Sequence, residues 1–149
     1  MMAAKKSSDA PPTAEPQILL FSPREHVRNV VLAGLLQFGY RVCEASNPFI
    51  AVMKIPRMRP SLVIVDITHD NAKGFLIIAA LIRSGLHTTT PAIVAVPPEP
   101  ADLLGSLSAE YLGPGHSDLP KTIHPLRYPF AFVELLGAVR NCMDSRASR

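Results

Sequence analysis

The stretch Pro60-Ser61-Leu62-Val63-Ile64-Val65-Asp66-Ile67 decides how the rest of the chain is interpreted. Its four consecutive apolar residues, Leu62 to Val65, do not alternate with polar ones, which is typical of a β-strand buried on both faces. The run then places one carboxylate, Asp66, at the end of this strand. Burying an ionised side chain costs free energy unless it is paired. We therefore expect Asp66 to have a partner or a chemical role.

Short apolar strands and amphipathic helices alternate on both sides of this stretch. Pro56 and Pro60 are expected to close the second helix. Five strands alternating with five helices predict an α/β fold, a doubly wound parallel sheet with helices on both faces. Ligands of such folds bind at the carboxyl ends of the strands, where Asp66 lies. The other predicted strands cover residues 17–21, 40–44, 92–96 and 122–126, and the predicted helices cover residues 27–38, 48–55, 75–84, 101–109 and 130–143.

The composition indicates one folded domain with tails. The chain has 149 residues, of which 48% are hydrophobic, enough for one full-sized core. Residues 1–16 are rich in Ala, Pro, Ser and Lys and are expected to form a disordered tail. The domain is expected to span residues 17–144, with a frayed terminus at 145–149.

Charge, cysteine content and hydropathy argue against several classes of function. The net charge is +3, but the basic residues are mostly scattered, which does not favour direct nucleic-acid binding. No apolar run approaches the ~18 residues of a membrane span. Cys43 and Cys142 lack metal-ligand spacing, so reduced thiols in a cytoplasmic protein are expected. The five histidines are dispersed, and we expect no metal site.

Several features occur together in this sequence: the first three strands, the spacing from Asp66 to Gly74-Phe75, Thr90-Pro91 entering the fourth strand, and Pro129-Phe130. With them, roughly residues 17–143 resemble the receiver domain of bacterial response regulators. This resemblance implies a flavodoxin-like sheet in the strand order 2-1-3-4-5. The segment 97–122 is longer than in the family, which suggests a remodelled fourth helix region.

In that family an aspartate at the position of Asp66 accepts a phosphoryl group from a histidine kinase. The resemblance also implies an acidic pair that holds Mg²⁺, a Ser or Thr after the fourth strand, and a Lys before Pro-Phe. Here these positions read Ser22-Pro23, Val96 and Tyr128. The chain thus resembles a degenerate receiver, a pseudo-receiver, in which Mg²⁺ binding is expected to be lost.

The leading functional hypothesis is a non-enzymatic, stand-alone interaction module in bacterial two-component signal transduction, which binds a protein partner without phosphorylation. One alternative is a receiver that is phosphorylated on Asp66 in a phosphorelay. A second is a small-molecule site in the cleft left by the missing acids. Without a metal, Arg24 or Lys73 is the candidate cation partner of Asp66.

The third predicted helix is apolar nearly all round. Phe75, Ile78, Ala79 and Ile82 form the stripe that should face the sheet. Leu76, Ile77 and Ala80 are then expected to point outward and to form an interaction surface, either for a partner or for a second copy of the chain, since surface helices are usually polar there.

Overall fold

The structure is a computed structural model that describes residues 17–147, so the tail predicted for residues 1–16 lies outside it. Strands and helices alternate along the described chain. They are β1 (Gln17–Phe21), α1 (Glu25–Gln37), β2 (Arg41–Ala45), α2 (Pro48–Met58), β3 (Leu62–Asp66), α3 (Asn71–Ser84), β4 (Ala92–Val96), α4 (Leu103–Leu112), β5 (Ile123–Arg127) and α5 (Phe132–Ala147), with short 3₁₀ turns at Leu86–Thr88 and Pro114–His116.

The strands form one parallel sheet in the order β2-β1-β3-β4-β5. This confirms the predicted five-stranded, doubly wound topology. All five residues of β3 are buried, as its continuous apolar run predicted. β3 lies between β1 and β4, and its last residue, Asp66, is in register with Ala95 of β4. The central strand therefore delivers its carboxylate to the edge where β1, β3 and β4 all end.

Two apolar clusters cover the two faces of the sheet. One packs the sheet against α2, α3 and α4 through side chains such as Ala51, Ile77 and Leu104. The other packs it against α1 and α5, with Leu35 and Val139 at its centre. Residues that alternate along β3 point to opposite clusters, as the two-residue period of a strand requires.

The second helix is longer than predicted, because Pro56 does not end it. The helix continues through Met58 with Pro56 inside its last turn, where the missing Pro56 N–H removes one hydrogen bond while the Arg59 amide still donates to the Ile55 carbonyl at 2.9 Å. It ends at Arg59, which adopts a left-handed conformation with φ 49°. The third helix also starts earlier than predicted. It begins at Asn71, because the Asp70 side chain caps it by accepting a hydrogen bond from the Lys73 amide.

The predicted outward surface on α3 is wrong for Ile77. This side chain has 0% exposure, while Leu76 and Ala80 are partly buried. The reason is that α3 is the middle helix on its face of the sheet and contacts both α2 and α4. Covered by the sheet below and by a helix on each side, α3 has little outward face left, so its apolar composition needs no docking partner.

The region after β4 forms a regular fourth helix followed by an irregular connection. α4 has ten residues, and the turn at Pro114–His116 packs against it. Arg83 Nη2 at the end of α3 donates to the Tyr111 carbonyl at 2.6 Å. The last helix continues to Ala147, three residues beyond the expected domain end. None of the helices described is long and apolar enough to cross a membrane.

Candidate functional site

Three chain segments bring polar side chains to the carboxyl edge of the sheet. Ser22 and Arg24 follow β1, Asp66 ends β3, and Tyr128 follows β5. Asp66 is 4% exposed, although it lies at the end of its strand. Parallel strands end at one edge, so residues far apart in sequence meet there.

The Asp66 carboxylate accepts four hydrogen bonds. Its Oδ2 atom accepts from Ser22 Oγ at 2.8 Å and from Arg24 Nη2 at 3.2 Å. Its Oδ1 atom accepts from the Thr68 amide at 2.9 Å and from the Thr68 hydroxyl. A carboxylate has about four acceptor positions. The described contacts therefore use the full acceptor capacity of Asp66.

The Arg24 guanidinium supplies the charge that compensates Asp66. Its Nη2 atom also contacts Thr68 Oγ1, so one cationic group bridges the carboxylate and the neighbouring loop. The Arg24 side chain keeps 30% exposure, whereas that of Asp66 keeps 6%. The ion pair is thus partly buried, and solvent screens it less than a surface pair.

An aromatic side chain packs against this cation. Arg24 Cζ lies 5.1 Å from the centre of the Tyr128 ring, and Phe130 packs edge-on against that ring at 5.7 Å. A guanidinium over an aromatic face gains electrostatic attraction and keeps a defined orientation. The Tyr128 amide donates to the Val96 carbonyl at 2.8 Å, which ties the aromatic segment to β4.

The backbone before Arg24 is also fixed. Arg28 Nη1 donates to the Ser22 carbonyl at 2.8 Å, and Arg28 Nε contacts Glu44 Oε1 of β2 at 3.1 Å. The Arg24 amide donates to Ser22 Oγ at 3.2 Å. The first turn of α1 is therefore attached to the strand ends on both sides of β1.

Val96, a predicted site residue, does not face Asp66. The residue level with Asp66 is Ala95, which lines the same small cavity, while Val96 packs with the cluster beneath α2, α3 and α4. Neither Ala95 nor Val96 carries a hydroxyl. Lys73, the second candidate cation, is not at the site either: its Nζ lies 3.9 Å from Asp70 Oδ2 and is exposed to solvent.

The residues at this edge do not fit Mg²⁺. A Mg²⁺ ion requires oxygen ligands in octahedral geometry, usually including one or two carboxylates with free lone pairs. Asp66 is the buried carboxylate at this edge, its oxygens are engaged, and a guanidinium occupies one side of it. No cluster of three metal-ligating side chains occurs in residues 17–147.

The cavity beneath the ion pair is small. It holds about 20 Å³ and is lined mainly by apolar side chains, with Ser22, Arg24 and Asp66 at its upper end. This volume suits about one water molecule, whereas small-molecule sites usually measure hundreds of Å³. Arg24 and Tyr128 fill the cleft that the missing acids were expected to leave. A cavity of this size does not support the small-molecule alternative at this site.

Sequence reasoning missed Thr68, which supplies two of the four donors to Asp66. The signal was present, because a Thr or Ser two residues after an Asp at a strand end can close a local turn through its amide. It also missed the contact of Arg24 with the Tyr128 ring, which depends on the relative positions of β1 and β5.

We expect Ser22→Ala to lower the free energy of unfolding by about 1 kcal/mol. The change removes a buried donor to Asp66 Oδ2 and leaves that oxygen with Arg24 alone. Urea unfolding followed by circular dichroism measures the loss. Ser46→Ala, at an exposed position, is the matched control and should stay within about 0.5 kcal/mol. Equal effects of the two changes would contradict the role given to Ser22.

Comparisons with known proteins place the fold. No family model matches the sequence, and no curated protein matches it. Solved receiver domains match the structure. The receiver domain of a putative LuxO repressor protein from Vibrio parahaemolyticus has a TM-score of 0.70 at 16% identity, over 89% of this chain and 93% of that one.

Two further structures agree over most of their length. A CheY-like receiver domain protein from Methanospirillum hungatei JF-1 has a TM-score of 0.70 at 16% identity, covering 90% of this chain and 98% of that one. The chemotaxis protein CheY4 of Vibrio cholerae has a TM-score of 0.67 at 20% identity, covering 87% and 99%. At these identities the match concerns the fold alone. The chain thus has the CheY-like fold of response regulator receiver domains.

Proposed function

We propose that this chain is a pseudo-receiver that binds a protein partner in bacterial signal transduction without being phosphorylated. The observation that carries the proposal is the saturated carboxylate of Asp66, which accepts four hydrogen bonds and pairs with Arg24. The carboxylate that would accept a phosphoryl group is therefore already bonded to other groups of the chain. The domain is thereby held in one conformation, ready to bind.

The chemistry of phosphoryl transfer supports this reading. An attacking carboxylate needs a free lone pair, and the charge that accumulates on the phosphoryl oxygens needs metal ions or cationic donors. Here the nucleophile would first have to release Arg24, Ser22 or Thr68. The metal ligands and the lysine of the family are replaced by Ser22-Pro23 and Tyr128. The described edge thus supplies neither the metal ligands nor the lysine that hold the phosphoryl group in the family.

The expected result of a phosphorylation assay is no reaction. Incubation of the chain with acetyl phosphate and MgCl₂ should leave its intact mass unchanged, because both oxygens of Asp66 are engaged and Ser22-Pro23 supply no carboxylate to hold Mg²⁺. Arg24→Met removes one of the two hydrogen bonds to Asp66 Oδ2. This variant should also stay unmodified, since the metal ligands are still missing. A phosphoryl adduct on the parent chain that disappears in Asp66→Asn would establish the phosphoacceptor alternative instead.

A further inference from the structure

The outer side of α2 is unusually apolar for an exposed helix face. Phe49 keeps 65% exposure, Ile50 49% and Met53 63%. Arg57 lies on the same side and is exposed. We call these four residues the α2 outer face. The opposite side of the helix is buried through Ala51 and Ile55, so the helix is fixed on the domain and presents the apolar residues outward.

The charges of α2 itself have one sign. The helix contains no Asp or Glu and carries Lys54 and Arg57, of which Lys54 donates to Cys43 Sγ at 3.5 Å. Arg59 adds another positive charge where α2 ends. Exposed apolar side chains with Arg57 and Arg59 beside them match an occupant that is apolar with an acidic rim.

This charge argues against a second copy of the chain on the same face. In a symmetric dimer the same surface meets itself. Arg57 of one copy would then meet only apolar side chains or the other Arg57, so this charge would be covered without an acidic partner, which is unfavourable. The α2 outer face therefore does not suit self-association.

A membrane surface fits less well than a protein. Interfacial helices insert their apolar side chains about 5 to 10 Å into the boundary between headgroups and acyl chains. The exposed apolar residues of α2 occupy fewer than two turns of an 11-residue helix, and they are only 49–65% exposed. Side chains that lie partly along the domain surface do not reach that depth. A groove or helix on a protein can contact them where they are.

We propose that the α2 outer face binds an acidic amphipathic helix of a partner protein. The apolar side of that helix covers Phe49, Ile50 and Met53, and its Asp and Glu residues lie beside Arg57 and Arg59. This inference rests on the proposed function and specifies the binding surface. It places the partner on the helix that follows β2 rather than over Asp66 and Tyr128.

The test is a selection from a displayed library of helical peptides, with the full chain as bait. The expected peptides carry Asp or Glu flanking an apolar i, i+3, i+4 pattern, and their binding weakens as salt is added. Phe49→Ser and Met53→Ser should each raise the Kd of the best peptide about tenfold. Val133→Ser is the matched control, because Val133 is 71% exposed on α5, on the other side of the sheet.

Reversing the charge at position 57 tests whether Arg57 contacts an acidic residue of the peptide. Arg57→Glu should weaken the acidic peptide and improve binding of an analogue in which the residue facing Arg57 is lysine. Failure of the selection, selected peptides without acidic residues, or an unchanged Kd for Phe49→Ser would overturn the proposal. Sedimentation of the chain with phosphatidylglycerol vesicles, lost in Phe49→Ser, would overturn it in favour of a membrane. None of these outcomes alters the result of the acetyl phosphate assay, so the two proposals can fail separately.

Discussion

Replacing Arg24 by methionine should lower the free energy of unfolding by about 2 to 3 kcal/mol. Methionine keeps the length and much of the apolar contact of the arginine stem but removes the cation from Asp66 Oδ2. The carboxylate, with 6% of its side chain exposed, then stays buried with hydrogen bonds but without a counter-charge. The loss should fall below the value for fully buried pairs, because Arg24 itself is 30% exposed. Urea unfolding measures this loss of stability, and the dependence of the free energy of unfolding on urea concentration should stay unchanged.

The control for this change is Arg57→Met on the α2 outer face. That arginine is exposed, so the same substitution there should change stability by no more than about 0.5 kcal/mol. The contrast separates the specific ion pair from a general effect of removing one positive charge from a chain of net charge +3.

A double-mutant cycle with Asp66→Asn tests whether the two residues act as a pair. In the variant with both changes, the uncompensated carboxylate is gone, so the loss should be smaller than the sum of the single losses by about 1 to 2 kcal/mol. Strict additivity would mean that Arg24 and Asp66 stabilise the domain independently. The conformation proposed to be held by the pair would then lack its physical basis.

The Arg24–Asp66 pair also illustrates what a sequence can show about a site. The apolar run that ends in Asp66 and the missing acids at Ser22-Pro23 were sufficient to expect a cation there, and Arg24 and Lys73 were the nearest choices by position. The sequence could not decide between them. The choice depends on the helix cap, because Asp70 caps α3 and holds Lys73 on the outside of the first turn.

The fold was more predictable than the surface. The alternation of strands and helices and the handedness of the connections predict a doubly wound parallel sheet, and the resemblance to receiver domains implies its strand order. The exposure of a helix face depends on which elements lie beside it. For α3, an apolar side pointing away from the sheet was interpreted as a surface, whereas α2 and α4 cover it. For α2, the exposure of Phe49 and Met53 likewise depends on what lies beside the helix, which its own sequence does not show.

Replacing an isoleucine by alanine should have different effects on the stability of the domain in α3 and in α2. Ile77→Ala should lower the free energy of unfolding by about 3 to 4 kcal/mol, because it removes buried methyl groups and leaves a cavity between α3 and its neighbours. Ile77 has 0% exposure and belongs to the larger apolar cluster. Ile50→Ala makes the same chemical change at 49% exposure and should cost less than about 1 kcal/mol.

The same pair of variants distinguishes core from docking surface in a second assay. Ile50→Ala should leave the folded domain intact and weaken the selected acidic peptide, because Ile50 belongs to the α2 outer face. Ile77→Ala should lower the urea midpoint yet leave the Kd of the folded fraction unchanged, since Ile77 is buried beneath the helices. If Ile77→Ala instead kept full stability and weakened the peptide, α3 would have to expose this side chain in solution. The packing of α2 and α4 against α3 would then be incorrect.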